Sequence, residues 1–333
     1  MEEEIKKWHR NPEIVVVGGG TGMSTLLKGI KELTTKLTAI VAVSDDGGGS
    51  GVLRNEMGIL PPGDIRNCIL ALANAEPLMQ QLLNYRFQAG TLRGQSFGNL
   101  FLAALEEVCG SFEEGVRRMS EILNVTGRVL PVTTSDVYLR AEFENGTEVL
   151  GESKIFHFKK EQNCRISRVS LVPSKAKPLP EAIEAIRRAD MIVLGPGSLY
   201  TSVIPNLLVP GISEEIAAAR AFKLYCCNVM TEYCETDDYT AYEHLEALVQ
   251  HSCPGIVDAM LVNTAPFPEE VLQKYAAEGA EPALVDRERI VACGVELYER
   301  DLLSTVGTFA RHDSRKLAAA ILDVYEQYIR EHV

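Results

Sequence analysis

The sequence predicts an α/β fold built on a mostly parallel sheet. Three observations carry that expectation. A β-branched run at residues 13–17 (Glu-Ile-Val-Val-Val) enters a glycine loop and then a helix-period face. A second apolar run follows at 38–43 (Thr-Ala-Ile-Val-Ala-Val), giving the order strand, loop, helix, strand. Beyond residue 180, helical and short apolar segments alternate again. Such alternation builds a parallel sheet with helices on its faces.

Taken in order, residues 1–12 read as a polar arm, and 13–333 as one α/β domain. The run at 13–17 suits a strand buried on both faces. Met23, Leu26, Leu27, Ile30 and Leu33 then lie on one helix face. Residues 65–123 read as mostly helical, with Asp64 as an N-cap and further helix patterns at 78–87 and 99–108. At 129–172 the pattern changes to an antiparallel β insertion. Val137, Leu139, Ala141 and Phe143 alternate with polar residues, and Asn145-Gly146 suits a hairpin turn. Segments 154–158 and 165–172 read as further β structure, and 173–180 as a Pro/Lys-rich linker. Helices at 181–189, 213–220 and 241–250 then alternate with strands at 190–194, 223–228 and 258–262. A last helix spans 314–329, with Ser314 placed to cap it.

The charge is acidic: 33 Lys and Arg stand against 46 Asp and Glu, a net −13. This argues against a nucleic-acid surface, which is basic. It leaves room for an anionic ligand in a local pocket. The start, Met1-Glu2-Glu3-Glu4-Ile5-Lys6-Lys7, does not read as a signal peptide, and no apolar stretch is long enough for a membrane span. The eight cysteines include no C-x-x-C pair and fit reduced, buried thiols in a cytoplasmic protein.

Six loops stand out as chemistry-bearing. Gly18, Gly19, Gly20, Thr21 and Gly22 lie between strand and helix, where backbone amides and the helix N-terminus favour a phosphate. The dinucleotide fingerprint G-x-G-x-x-G is not met, and no G-x-x-x-x-G-K-[ST] occurs. Asp45 and Asp46 open a second glycine loop, as ribose ligands or as a carboxylate pair for Mg²⁺. Asp64, Arg66 and Asn67 sit at one helix start, and Ser96 and Asn99 at another; each group reads equally well as helix capping. Gly195, Gly197, Ser198, Leu199 and Tyr200 follow a buried strand in a small-residue loop. Arg311, before the last helix, suits a phosphate or a solvated surface. No nucleophile or His-based metal constellation is visible, so no catalytic residue is assigned.

Together these strings resemble the gluconeogenesis-factor (YvcK-like) proteins, a branch of the 2-phospho-L-lactate transferase superfamily. The resemblance rests on residues 18–22, 45–51, 58–67, 96–99, 127–131 and 195–202, on Pro205-Asn206-Leu207-Leu208 and on Asn228-Val229-Met230-Thr231. It runs from about residue 12 to about 325 and adds Asn228 to the candidate ligand contacts. It implies a Rossmann-like α/β/α core in a cytoplasmic bacterial protein. It also implies binding of a UDP-sugar, UDP-N-acetylglucosamine or UDP-glucose, and a role in cell shape and cell-wall precursor balance. Sister proteins transfer a phospholactyl group from a guanosine diphosphate-linked donor with Mg²⁺. Three departures mark this chain. Gln95 stands where His is usual, Ser314 where Thr is usual, and residues 232–236 read Glu-Tyr-Cys-Glu-Thr where Gln-Pro-Gly-Glu-Thr is usual.

Three functions follow as expectations. The favoured one is a UDP-sugar-binding regulator without turnover, requiring no cofactor, with a homodimer and further protein partners plausible. The second is a Mg²⁺-dependent transferase on a nucleotide-diphosphate-linked substrate. The third, an NAD-dependent oxidoreductase, is weakened by the missing third glycine.

Overall fold

The computed structural model describes residues 11–304 and 310–332, so most of the expected arm lies outside the described residues. Strand β1 (Ile14–Gly18) leads into helix α1 (Gly20–Ile30) and strand β2 (Leu37–Val41). Helices α2 (Gly48–Met57), α3 (Gly63–Leu72), α4 (Pro77–Asn84), α5 (Phe97–Cys109) and α6 (Phe112–Ile122) precede β3 (Arg128–Pro131). The insertion follows as β4 (Tyr138–Phe143), β5 (Glu148–Leu150), α7 (Glu152–Gln162) and β6 (Ile166–Val172). Helix α8 (Pro180–Arg188), strand β7 (Met191–Leu194), a π-helical turn (Leu199–Val203), α9 (Ile204–Leu207), α10 (Ile212–Ala218) and β8 (Phe222–Cys226) return the chain to the main sheet. It ends through α11 (Ala241–Gln250), β9 (Ala259–Asn263), α12 (Glu269–Ala277), α13 (Arg287–Ala292), β10 (Glu296–Arg300) and α14 (Ser314–His332).

The main sheet has seven strands in the order β10-β9-β8-β7-β1-β2-β3, all paired in parallel. Every residue of β1, β2, β7 and β8 is buried, because helices cover both faces. One continuous core joins this sheet to the insertion, whose Phe143 and Val169 belong to it. Helix α1 packs closely against α14 through Gly29, where an added Cβ would lie 2.0 Å from the Ser314 carbonyl oxygen.

Four expectations need correction. The insertion starts after Pro131, because Val129, Leu130 and Pro131 pair with β2 in the main sheet. Segment 154–158 is helical rather than β, within α7. Asp46 Oδ1 accepts a hydrogen bond from the Ser153 amide at 2.8 Å, satisfying a first-turn donor from a distant loop. Ile155 and Lys159, four apart, are then both buried on one face of α7. Asp64 does not cap α3, which already includes Gly63 and has Pro62 at its cap position. Asp313, not Ser314, caps α14: its Oδ1 accepts from the Arg315 and Lys316 amides, each at 2.9 Å.

Candidate functional site

Strand order reverses between β1 and β7. Strands β2 and β3 extend to one side of β1, and β7 to β10 to the other. Ligands of open parallel sheets bind outside the strand ends at this point, where adjacent loops diverge. The loops leaving β1 and β7 are the two glycine loops at 18–22 and 195–198. They meet: a Cβ on Gly22 would lie 2.8 Å from the Pro196 carbonyl oxygen, so only a glycine fits there. Asn228, just beyond β8, fastens the second loop. Its Nδ2 donates to the Gly197 carbonyl at 2.9 Å, and the Gly197 amide donates to its Oδ1 at 3.1 Å. Buried Asn206 ties the loops from below, donating to the Gly18 carbonyl at 3.0 Å and the Ser202 carbonyl at 2.8 Å.

Above these loops opens a cleft of about 260 Å³. It gathers Gly20, Thr21, Gly22, Gly197, Ser198, Asn228 and Arg311 from the sequence-predicted set. The first turn of α1 holds no acidic side chain of its own, and its amide end lines the cleft, with the Asp64 carboxyl behind it accepting from the Gly20 amide. Arg311 adds an exposed guanidinium on the opposite segment. The combination of helix N-terminus, glycine backbone and arginine suits a phosphate or diphosphate group.

The other predicted residues lie behind or beside this cleft. Gly18 and Gly19 are buried at the end of β1. Asp64 lies beneath the loop, accepting from the Gly20 amide, and a Cβ on Gly19 would stand 2.6 Å from its Oδ2. Burial, and then the neighbouring Asp45 carboxylate, push Asp64 up to about 6. Gly195, Leu199 and Tyr200 are buried, and the Tyr200 hydroxyl meets that of Tyr239 at 3.0 Å. Arg66 turns away to the Asn67 side-chain oxygen at 2.7 Å and the Leu83 carbonyl at 3.4 Å. Ser96 and Asn99 are buried, and their Oγ and Oδ1 have no hydrogen-bond partner within the protein.

Asp45 and Asp46 part company. Asp45 Oδ1 accepts from the Gly47 amide at 2.8 Å, and Asp46 Oδ1 from the Ser153 amide at 2.8 Å. Burial pushes the Asp45 carboxyl up. Among the described residues, no group of three or more His, Cys, Asp or Glu is placed to hold a metal ion. Each carboxylate accepts one backbone amide through its Oδ1, from Gly47 or from Ser153, and the Asp46 charge adds to the rise of Asp45.

Several residues in or beside the cleft were not singled out from the sequence. Glu232 lines the cleft, and its Oε2 accepts from the Ser198 hydroxyl at 2.6 Å. Glu235 is buried, accepting from the Tyr200 amide and from the Thr201 amide at 3.3 Å. Burial and the adjacent carboxylate of Glu232 push the Glu235 carboxyl well up. Glu152, at the start of α7, is also raised by burial and by Asp45 and Asp64. His312 is buried at the cleft wall, bonded to the Cys227 backbone, and burial lowers it to about 4. Neutral His312 therefore adds no charge near pH 7. Cys234, where Gly is usual in the resembled strings, holds a left-handed backbone with φ 63°. Only the string 232–236 carried a signal for the glutamates, and its local spacing resembles an ordinary turn.

The chain matches the family model described as 2-phospho-L-lactate transferase CofD over residues 14–303. The gluconeogenesis factor of Bacillus subtilis is 48% identical over 319 residues, covering 96% of this chain and 99% of that protein. The gluconeogenesis factor of Halalkalibacterium halodurans is 49% identical over 315 residues, covering 94% and 97%. A crystal structure of a Bacillus halodurans protein superposes with a TM-score of 0.91 at 48% identity, covering 94% of this chain and all of that one. With a parallel sheet, a cleft at its switch point and a family match across most of its length, the chain belongs to the 2-phospho-L-lactate transferase CofD family.

Proposed function

We propose that this chain is a sugar-nucleotide-binding protein whose cleft holds the diphosphate of a UDP-sugar. The observation that carries the reading is the joint placement of the α1 N-terminus, the Gly197-Ser198 loop and Arg311 around one cleft. The diphosphate would lie on backbone amides, with Arg311 neutralising part of its charge. UDP-N-acetylglucosamine and UDP-glucose are the proposed ligands. The proposed role is regulatory, in cell shape and cell-wall precursor balance, in the cytoplasm and without turnover. Similarity to gluconeogenesis factors supports a metabolic setting. Among the described residues, no helix is long and apolar enough to cross a membrane.

Titration calorimetry with UDP-N-acetylglucosamine, UDP-glucose, GDP and NAD tests this reading, with and without Mg²⁺. Saturable binding of a UDP-sugar is expected. Absence of heat and of thermal stabilisation at millimolar UDP-sugar would overturn it. A second reading, transfer from a nucleotide-diphosphate-linked donor, is favoured by the family description alone. Product formation in the same mixtures would establish it in place of pure binding.

A further inference from the structure

The cleft and a smaller cavity of about 100 Å³ share one side chain, Glu232. The small cavity lies between Glu152 and Phe156 of α7 and the turn that carries Tyr233, Cys234 and Glu235. Glu232 therefore lines both. It is held there from both ends. Its amide donates to the Thr236 hydroxyl at 2.9 Å, and its Oε2 accepts from the Ser198 hydroxyl at 2.6 Å. Ser198 belongs to the loop that faces the amide end of α1.

An anion lodged on that loop meets this carboxylate directly. Lys159, the nearest buried ammonium on α7, is occupied by Asp237 at 2.9 Å. Glu235 and Glu152 stand behind Glu232, and both are raised by burial toward the neutral acid. Arg311 also lines the cleft. The cleft is thus lined by the amide end of α1, by Arg311 and by the Glu232 carboxylate.

We propose that Glu232 is the specificity-determining residue of the cleft, selecting a diphosphate whose outer phosphate is esterified to a sugar over a free nucleoside diphosphate. This rests on reading the cleft as a diphosphate site. A free terminal phosphate brings an additional negative charge against the carboxylate, and like charges at short range repel. An esterified phosphate lacks that charge. Its sugar brings hydroxyl groups, which donate to a carboxylate. The same side chain therefore disfavours one ligand and supports the other, which is how specificity differs from affinity.

The test measures UDP and UDP-N-acetylglucosamine affinities for the wild type, Glu232→Gln and Glu232→Asp. The wild type should prefer the sugar nucleotide. Glu232→Gln should tighten UDP about tenfold while leaving the sugar nucleotide unchanged or weaker, so the preference falls at least about tenfold. Glu232→Asp, which keeps the charge, should retain most of it. If Glu232→Gln does not fold, Glu232→Ala removes the same charge and should lower the preference in the same direction. A preference unchanged in Glu232→Gln, or a wild type that prefers UDP, overturns this inference while leaving the cleft reading intact. Failure of both ligands to bind any of these proteins overturns the cleft reading and this inference with it.

Discussion

Replacing Asp64 by Asn should stabilise the protein near neutral pH and leave it unchanged in acid. Asp64 is held beneath the glycine loop, where burial and Asp45 raise it from the ordinary 3.8 to about 6. The folded protein therefore keeps a proton that the unfolded chain releases. Between those two values the native state binds more protons, so stability falls as pH rises, and the loss is complete above the folded value. A carboxyl moved that far carries about 3 kcal/mol against its ionised native form. Asn removes the charge, and its Oδ1 can still accept from the Gly20 amide. After allowance for the small part of Asp64 that reaches solvent, the gain should be about 1–3 kcal/mol near pH 7 and close to zero near pH 4. Urea unfolding of both proteins across this range measures it. A difference that does not change with pH, or a loss near pH 7, would refute the placement of a buried, proton-linked carboxylate under the loop.

Three further outcomes are expected. Gly29→Ala should destabilise by about 1–3 kcal/mol or more, because the new Cβ would press on the Ser314 carbonyl oxygen at 2.0 Å and the Ala318 methyl at 2.8 Å; thermal melts check this. Asn228→Ala removes both hydrogen bonds to Gly197, and should cost about 1–3 kcal/mol with a weaker sugar-nucleotide affinity; denaturation and calorimetry on the same sample separate the two effects. Arg311→Ala should weaken UDP-sugar binding about tenfold to a hundredfold through loss of a charge-assisted contact, and an unchanged dissociation constant would move the diphosphate elsewhere.

Local chemistry made much of this molecule legible. Residues 14–17 are β-branched and apolar, so they form a strand buried on both faces. The glycines at 18–22 follow immediately, and the helix periodicity from Met23 sets the direction of α1. The same logic marked the loop at 195–198. These features depend on neighbours a few residues apart, and periodicity and turn chemistry report such neighbours directly.

Other features were decided only by tertiary structure. Sheet order places β7 beside β1, and so brings together two loops that the chain separates widely. Asn206 then bonds to Gly18 across 188 residues. Helix α7 stands where a strand was expected, and Asp46, 107 residues earlier, supplies an acceptor for its first turn. That same bond ties Asp46 to a segment that the adjacent acids gave no sign of. Glu232 and Glu235 read as a turn in one dimension, and acquire chemistry only when Ser198 and Tyr200 are folded against them. Hydrogen-bond partners and burial set the role of a charged side chain, and both are properties of distant segments brought together. The amino-acid order therefore determined the strands, helices and glycine loops, while the packed sheet decided which acids and arginines face the cleft.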